Sequence, residues 1–394
     1  MDEHSEVGRK LRQIRHARGK SLSVIAGLAG ISTSYLSMIE RGERAVDRRS
    51  LIVALANALE VAPSDLTALP MPAPGNGESD SAVNAARRAL MAVHRNRPGG
   101  QILPVDALRI RMREVLDAGR QCQQEKVGAA LAPLIRDLHT SIAAGRDVAE
   151  MLELAVVLHT RGTDAWLRVV GARVELRSLA TLAARQAAET LEHPTALGLA
   201  AWGDAQVTLA AGDFDLARAE LDTVSVPTDS SEAMQLHGML ALSRSLVAAS
   251  DNRSSDVESA LDYATDLAEH TGEGNAYWLG FGPTNVGFWR MASALEAGDY
   301  DLTVRLAHEV DPRRHANRSR QAAYWIDYGR ALAHTRGRRD DAVMALRQGE
   351  KLSPLHVLRN PLVREVMAEL MAKAKRDAVG RELRGMAYRA GLPV

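Results

Sequence analysis

Residues 32–48, which read STSYLSMIERGERAVDR, combine small hydroxyl-bearing side chains with several arginines. Thr33, Ser34 and Ser37 are spaced so that one helix would carry them on its exposed N-terminal side, while Leu36 would turn inward. Hydroxyl groups donate and accept hydrogen bonds, so they can pair with several nucleobase edges, and the methyl group of Thr33 can contact that of thymine. The chemistry that these side chains could support is therefore recognition of a nucleic-acid surface.

Short helices must hold this segment in place. Apolar spacing predicts five helices in residues 6–69, near 6–18, 22–29, 33–41, 50–60 and 64–68. The tripeptide AGI connects the second helix to the third, and its Gly30 permits a sharp turn. Ser32 is placed to cap the third helix. The side chains expected to turn inward are Leu36, Ile39, Ile25 and Ala26.

The same region resembles the lambda-repressor-like, or XRE-type, helix-turn-helix family. The resemblance rests on LSVIAGLAGISTSYLSMIERGERAV, where the run S-x-x-L-S-x-I-E-x-G is typical of the recognition helix and its exit. It implies base-reading side chains on the third helix and cations after it that face phosphates or the minor groove. The implied base readers are Thr33, Ser34, Ser37 and Met38, and the implied cations are Arg41, Arg44 and Arg48. It also implies that Glu40 pairs with Arg15.

Leu22 departs from the family pattern, because many members have a glutamine there that contacts a phosphate. We expect this contact to be missing or to come from the backbone. Since one small domain binds DNA weakly, the resemblance also implies a homodimer that reads two half-sites one helical turn apart. A helical bundle with a solvated polar face is the alternative for residues 6–69.

Charge is balanced over the chain but not along it. The formal net charge is +0, whereas residues 1–50 contain ten Lys or Arg against six Asp or Glu. A mildly cationic N-terminal segment is expected if only this part of the chain faces a polyanion.

No motif in the sequence predicts an enzyme, a cofactor or a metal site. The twelve histidines lack metal-ligand spacing, and Tyr277 replaces the third glycine that a phosphate-binding loop would need in GEGNAYWLG. Cys122 is the only cysteine, which excludes an intramolecular disulfide framework and favours a reducing, cytoplasmic setting. No apolar run reaches the roughly 18 residues of a membrane span. We expect a cytoplasmic protein that contacts no membrane and needs no cofactor.

Beyond a predicted linker, PMPAPGNGESDS, residues 103–394 are expected to be all-helical and repetitive. Segments 209–227, 295–312 and 335–354 share a glycine that ends one helix, a small residue near the fifth place after it, and a proline after the next helix. This plan resembles the tetratricopeptide repeat, a helix pair of about 34 residues that stacks into a superhelix. The glycines are Gly212, Gly298 and Gly337, and the residues five places later are Ala217, Thr303 and Ala342.

Stacked repeats imply a concave surface lined by the first helix of each pair. The ligand-binding residues placed there are Trp202, Gln206, His237, Arg244, Asn285, Phe288, Tyr324 and Asp327. Amides can hold a peptide main chain, aromatic rings can accept its side chains, and a guanidinium can receive a carboxylate. The alternative is that most of these side chains pack between repeats or are solvated.

Five of the 15 Phe, Tyr and Trp residues fall within residues 277–289. They are Tyr277, Trp278, Phe281, Phe288 and Trp289, and helix-breaking glycines and a proline lie among them. This aromatic cluster could close over a ligand or form a local core, and we favour contact with a ligand.

Together these patterns predict an all-α protein with three parts. Residues 1–69 form a five-helix helix-turn-helix domain, residues 70–102 a linker with a possible helix, and residues 103–394 a tetratricopeptide-like α-solenoid. The arrangement is similar to regulators that join an XRE-type headpiece to a repeat sensor, among them peptide-responsive quorum-sensing receptors. It implies a homodimeric transcriptional regulator that binds double-stranded DNA and a peptide or small-molecule ligand. A DNA-binding regulator whose repeats are a protein-interaction scaffold is the alternative.

Overall fold

The computed structural model describes residues 6–67 and 77–393. Across these residues the chain is all-helical, with 77% helix and no strand, which confirms the predicted fold class. The N-terminal helices are α1 (Glu6–Ala17), α2 (Leu22–Leu28), α3 (Thr33–Glu40), α4 (Arg49–Leu59) and α5 (Pro63–Thr67). Most of the predicted linker PMPAPGNGESDS, residues 70–81, lies outside the described residues.

Seventeen further α-helices follow in the described part of the chain. They are α6 (Gly77–His94), α7 (Val105–Arg120), α8 (Gln124–Ala143), α9 (Val148–Val157), α10 (Ala165–Val169), α11 (Val174–Leu191), α12 (Pro194–Ala211), α13 (Phe214–Asp222), α14 (Ser231–Ser250), α15 (Ser254–Thr271), α16 (Pro283–Ala297), α17 (Tyr300–Glu309), α18 (Arg318–His334), α19 (Arg339–Leu352), α20 (Pro354–Leu358), α21 (Pro361–Ala372) and α22 (Ala378–Arg389). A π-helix (Leu158–Asp164) joins α9 to α10, and short 3₁₀ helices span Ala276–Trp278 and Pro312–Arg314.

Local sequence signals place α2 and α3. Ser21 and Ser32 each accept a hydrogen bond from a backbone N–H of the following helix, at 3.3 and 3.1 Å, and so cap α2 and α3. Gly30 adopts a φ of 68°, which the turn between them requires. The two helices meet at 110°, an angle typical of a helix-turn-helix. The predicted inward residues are buried in one apolar core: Leu36, Ile39, Ile25 and Ala26.

No single helix in the described part of the chain is long and apolar enough to cross a membrane. Among the described residues, only α2 and α3 taken together as a bent pair have the length and apolar composition of a membrane span.

The C-terminal helices pack on one another in chain order, as in an α-solenoid. Gly212 and Gly298 end α12 and α16 with a φ of 83°, and Gly337 has a φ of 77° in the turn after α18. The residues five places after these glycines are fully buried where helices meet: Ala217, Thr303 and Ala342. One apolar core extends from α6 to α16, and a second one extends from α16 to α22. The core contacts of α6 attach this helix, predicted within the linker, to the solenoid.

Candidate nucleic-acid interface and internal arginine cluster

The first turn of α3 projects hydroxyl groups into solvent. Thr33 and Ser34 are exposed, while Ser37 and Met38 on the next turn are partly buried. The buried side chains of α3 anchor its opposite face, so the exposed turn is held without contributing to the core. Arg41 Nη1 donates a hydrogen bond to Ser37 Oγ over 2.5 Å, and Arg41 also pairs with Glu43 at 2.6 Å.

An ion pair joins α1 to the end of α3. Arg15 Nε and Nη2 donate to the two carboxylate oxygens of Glu40 at 2.6 and 2.7 Å, the pairing that the family resemblance implied. The hydrogen bond that Arg15 donates to this carboxylate raises the pKa of Arg15. Leu22, where many family members have a glutamine, is partly buried against the core of the helix-turn-helix domain. This position therefore carries no polar side chain.

Residues 6–69 match the family model described as a helix-turn-helix domain. No curated protein and no solved structure significantly matches the chain. The match covers the five N-terminal helices, and it supports a DNA-binding regulator.

The helix-turn-helix domain is fastened to the solenoid through the loop of residues 41–48, here called the exit loop. Adjacent residues of this loop belong to two cores: Val46 packs in the helix-turn-helix domain and Ala45 packs against α16–α22. The backbone N–H of Ala45 donates to Glu369 on α21 over 2.9 Å. The guanidinium of Arg44 lies 3.5 Å from the same carboxylate.

Glu296 on α16 anchors the start of α4. Its carboxylate accepts a hydrogen bond from the Arg49 backbone N–H at 3.0 Å and pairs with the Arg49 guanidinium at 2.6 Å. Arg330 on α18 lies 3.5 Å from the same carboxylate and donates to the Asp47 carbonyl. Glu296 and Arg330 are almost completely buried, whereas the Arg49 side chain is partly exposed.

Asp47 is fully buried at the centre of the interface. Its carboxylate lies 3.0 Å from His334 Nε2 and accepts a hydrogen bond from the Tyr300 hydroxyl at 3.3 Å. Burial raises the pKa of Asp47, but His334 and Arg330 outweigh burial, so the pKa is lowered and the carboxylate stays ionised.

Arg48 also faces the solenoid. A Cβ at Gly298 would lie 2.4 Å from Arg48 Nη1, so the glycine leaves room for this guanidinium. Two of the predicted DNA-contacting cations, Arg44 and Arg48, therefore contact the C-terminal helices in this arrangement, whereas Arg41 is exposed beside α3.

Four of the predicted ligand-binding side chains are buried: Trp202, Asn285, Phe288 and Tyr324. Asn285 Nδ2 donates to the Gly280 carbonyl at 2.8 Å, and its Oδ1 accepts from Arg320 at 2.9 Å. Phe288 packs against the Tyr324 ring, with centroids 5.5 Å apart, and the face of Trp202 is covered by Arg161.

The other four predicted ligand-binding residues also contact other residues of the protein. Gln206 donates to Ser243, and Arg244 donates to the Leu221 carbonyl and lies 3.4 Å from Asp222. His237 packs edge-on against Tyr263, and Asp327 pairs with Arg330 at 3.1 Å. Burial is the largest cause of the lowered pKa of His237 and the raised pKa of Asp327.

The aromatic cluster of residues 277–289 divides between core and cavity. Phe281, Phe288 and Trp289 are buried, and the Phe281 ring fills the space that a side chain at position 238 would need. Trp278 instead lines an internal cavity.

This cavity lies between α7, the π-helix, α10 and the start of α18. Its charged lining residues are Arg120, Arg161, Arg168 and Arg320. None of the four was predicted from the sequence, because they come from segments that are up to 200 residues apart. The only hint in the sequence was the aromatic cluster, through Trp278.

The π-helix also brings two histidines together. His139 Nε2 and His159 Nε2 lie 2.8 Å apart, although the residues are separated by twenty positions. Burial and then the neighbouring His94 lower the pKa of His139 to about 4, and burial holds the pKa of His159 well below its usual value.

Proposed function

We propose that this protein is a homodimeric, sequence-specific transcriptional regulator, and that its C-terminal helices bind a signalling ligand that controls DNA binding. The exposed hydroxyl-bearing turn of α3, within a domain that matches the helix-turn-helix model, carries the proposal. In the proposed complex with DNA, α3 enters the major groove. The side chains proposed to read the bases are Thr33, Ser34, Ser37 and Met38. The phosphate contacts are Arg41, Arg44 and Arg48.

The proposed control acts through the exit loop. Arg44 and Arg48 contact the solenoid here, so DNA phosphates would compete with Glu369 and the Gly298 turn for these two cations. A ligand that favours one packing of the solenoid over another would then change DNA affinity, since coupling requires different affinities for two arrangements. The resemblance to repeat-containing quorum-sensing regulators supports a peptide or small molecule as the ligand.

We further propose the division into residues 1–69, 70–102 and 103–394, with tetratricopeptide-like repeats in the last part. The turns at Gly212 and Gly298 support it, because each ends the first helix of a pair. The helix pair α14 and α15 fills the longer spacing between them.

DNA binding is tested by footprinting the full-length protein on the DNA surrounding its own gene. Thr33→Ala together with Ser34→Ala should weaken binding to the footprinted site by about five- to a hundredfold, the discrimination expected of base contacts. Because both side chains are exposed, thermal stability should not change. Ser255→Ala, an exposed hydroxyl on α15, is the control. Equal affinity of the double variant and the control would contradict the proposal, and footprints spaced by one helical turn would support a dimer.

A further inference from the structure

We propose that the internal cavity binds a small anionic molecule through Arg161, Arg168 and Arg320. The inference deepens the proposed function, because it names the chemical class of the signalling ligand. The three guanidinium groups come from the π-helix, α10 and α18, and they converge on one space that also presents Asn317 and Trp278.

These three cations have no carboxylate partner among the described residues. Arg161 donates to the Trp278 carbonyl at 3.2 Å and lies 5.0 Å above the Trp202 ring. The carboxylate of Asp164, also on the π-helix, is already paired with Arg177 at 2.7 Å.

Arg320 and Arg168 are likewise uncompensated within the part of the chain that the structure describes. Arg320 donates to the neutral Asn285 side-chain oxygen at 2.9 Å and lies over the rings of Phe288 and Trp289. Arg168 has neither a hydrogen bond nor an ion pair within those residues, and its side chain is exposed.

The protein environment already disfavours the charges. Burial, followed by repulsion from the other arginines, lowers the pKa of Arg161 to about 9 and that of Arg320 to about 10. Clustered cations without a counter-charge are unfavourable in a partly dehydrated site, and a bound anion would remove that cost.

The donors define the ligand class. Guanidinium groups bind the planar or tetrahedral oxygens of carboxylates and phosphates through paired hydrogen bonds, which favours a small carboxylate- or phosphate-bearing molecule. The π-helix supports a binding role, because such distortions occur frequently at functional sites.

The test measures binding of sodium pyrophosphate and sodium citrate to the full-length protein by calorimetry and thermal denaturation. Ionic strength is kept constant with NaCl, and glycerol serves as the uncharged control. We expect saturable binding of at least one anion with a rise in melting temperature. Arg161→Gln and Arg168→Gln should each weaken that binding by about tenfold or more, as expected for the loss of a charge-assisted hydrogen bond.

Arg113→Gln is the matched control, because Arg113 is an exposed arginine on α7 outside the cavity lining. Arg168→Gln should not melt below the unliganded parent protein, because Arg168 forms no hydrogen bond or ion pair within the described residues and its side chain is exposed. Binding of citrate alone would identify a carboxylate ligand, and binding of pyrophosphate alone a phosphate ligand. The inference is wrong if neither anion binds, or if both cavity variants bind as tightly as Arg113→Gln. Because no measurement uses DNA, this result is independent of the footprinting experiment.

Discussion

The Arg15–Glu40 ion pair fixes the C-terminal end of α3 to α1. Both side chains are nearly inaccessible to solvent, at 8% and 5% exposure, and the guanidinium uses two nitrogens for the carboxylate. Breaking a buried pair from one side leaves an uncompensated charge, which costs about 3 to 5 kcal/mol. Arg15→Met should therefore lower the local opening free energy of α1 and α3 by about 3 kcal/mol, measured by amide hydrogen exchange.

Two further variants serve as controls for Arg15→Met. Arg18→Met breaks an exposed pair with Glu60, whose side chain is 65% exposed, and should cost at most about 1 kcal/mol. Adding Glu40→Leu to Arg15→Met should recover much of the loss, because it removes the stranded carboxylate. Equal effects of the two single substitutions would show that the buried pair has no special role in holding α3.

At the scale of elements, the π-helix depends on neutral histidines. One Nε2 of the His139–His159 pair must donate and the other accept, so protonation of the acceptor breaks the hydrogen bond. The folded pKa of each histidine lies below its unfolded value of about 6.5, so the unfolded chain binds more protons as pH falls. Stability should therefore decrease below pH 6.5, by about 1 to 2 kcal/mol per histidine between pH 6.5 and pH 5.

Thermal denaturation between pH 7.5 and pH 5 measures this dependence. His139→Gln should reduce it, whereas His270→Gln, at an exposed position on α15, should leave it unchanged. A parent protein whose melting temperature is constant over that range would contradict the assignment of neutral, buried imidazoles.

For the whole molecule, the exit loop contributes contacts between the helix-turn-helix domain and the C-terminal helices. Glu369→Gln removes the charge that holds Arg44 and weakens the hydrogen bond to the Ala45 N–H. We expect faster amide exchange in residues 42–49 and an increase of up to about fivefold in DNA affinity, because the contribution of a partly exposed ion pair is at most about 1 kcal/mol.

Glu114→Gln is the charge-matched control for this variant, since Glu114 is exposed on α7 and distant in sequence from the interface. Both variants change net charge equally, so a difference between them reports the loop contact and not general attraction to DNA. If Glu369→Gln neither accelerated exchange nor differed from Glu114→Gln in DNA affinity, the loop would not control the arginines that we propose as DNA contacts.

The sequence by itself determined the features that depend on neighbouring residues. Ser32 caps α3 because its hydroxyl accepts a hydrogen bond from the backbone N–H three residues later. Gly30 and Gly212 adopt positive φ angles, which glycine reaches without a steric clash because it has no Cβ. The helix-turn-helix and the all-α fold class were predictable for this reason. The burial pattern of α3 was predictable as well, since its helical period separates Thr33 from Leu36.

The tertiary structure decided which distant side chains meet. Arg44 contacts Glu369 although 325 residues separate them, and no helical period specifies such a pairing. Asn285, which was predicted to line a concave surface, is buried and accepts a hydrogen bond from Arg320 on another helix. The arginine cluster was not predicted from the sequence for the same physical reason. Whether a cation has an anionic partner depends on packing across the whole solenoid, not on residues next to it in the chain.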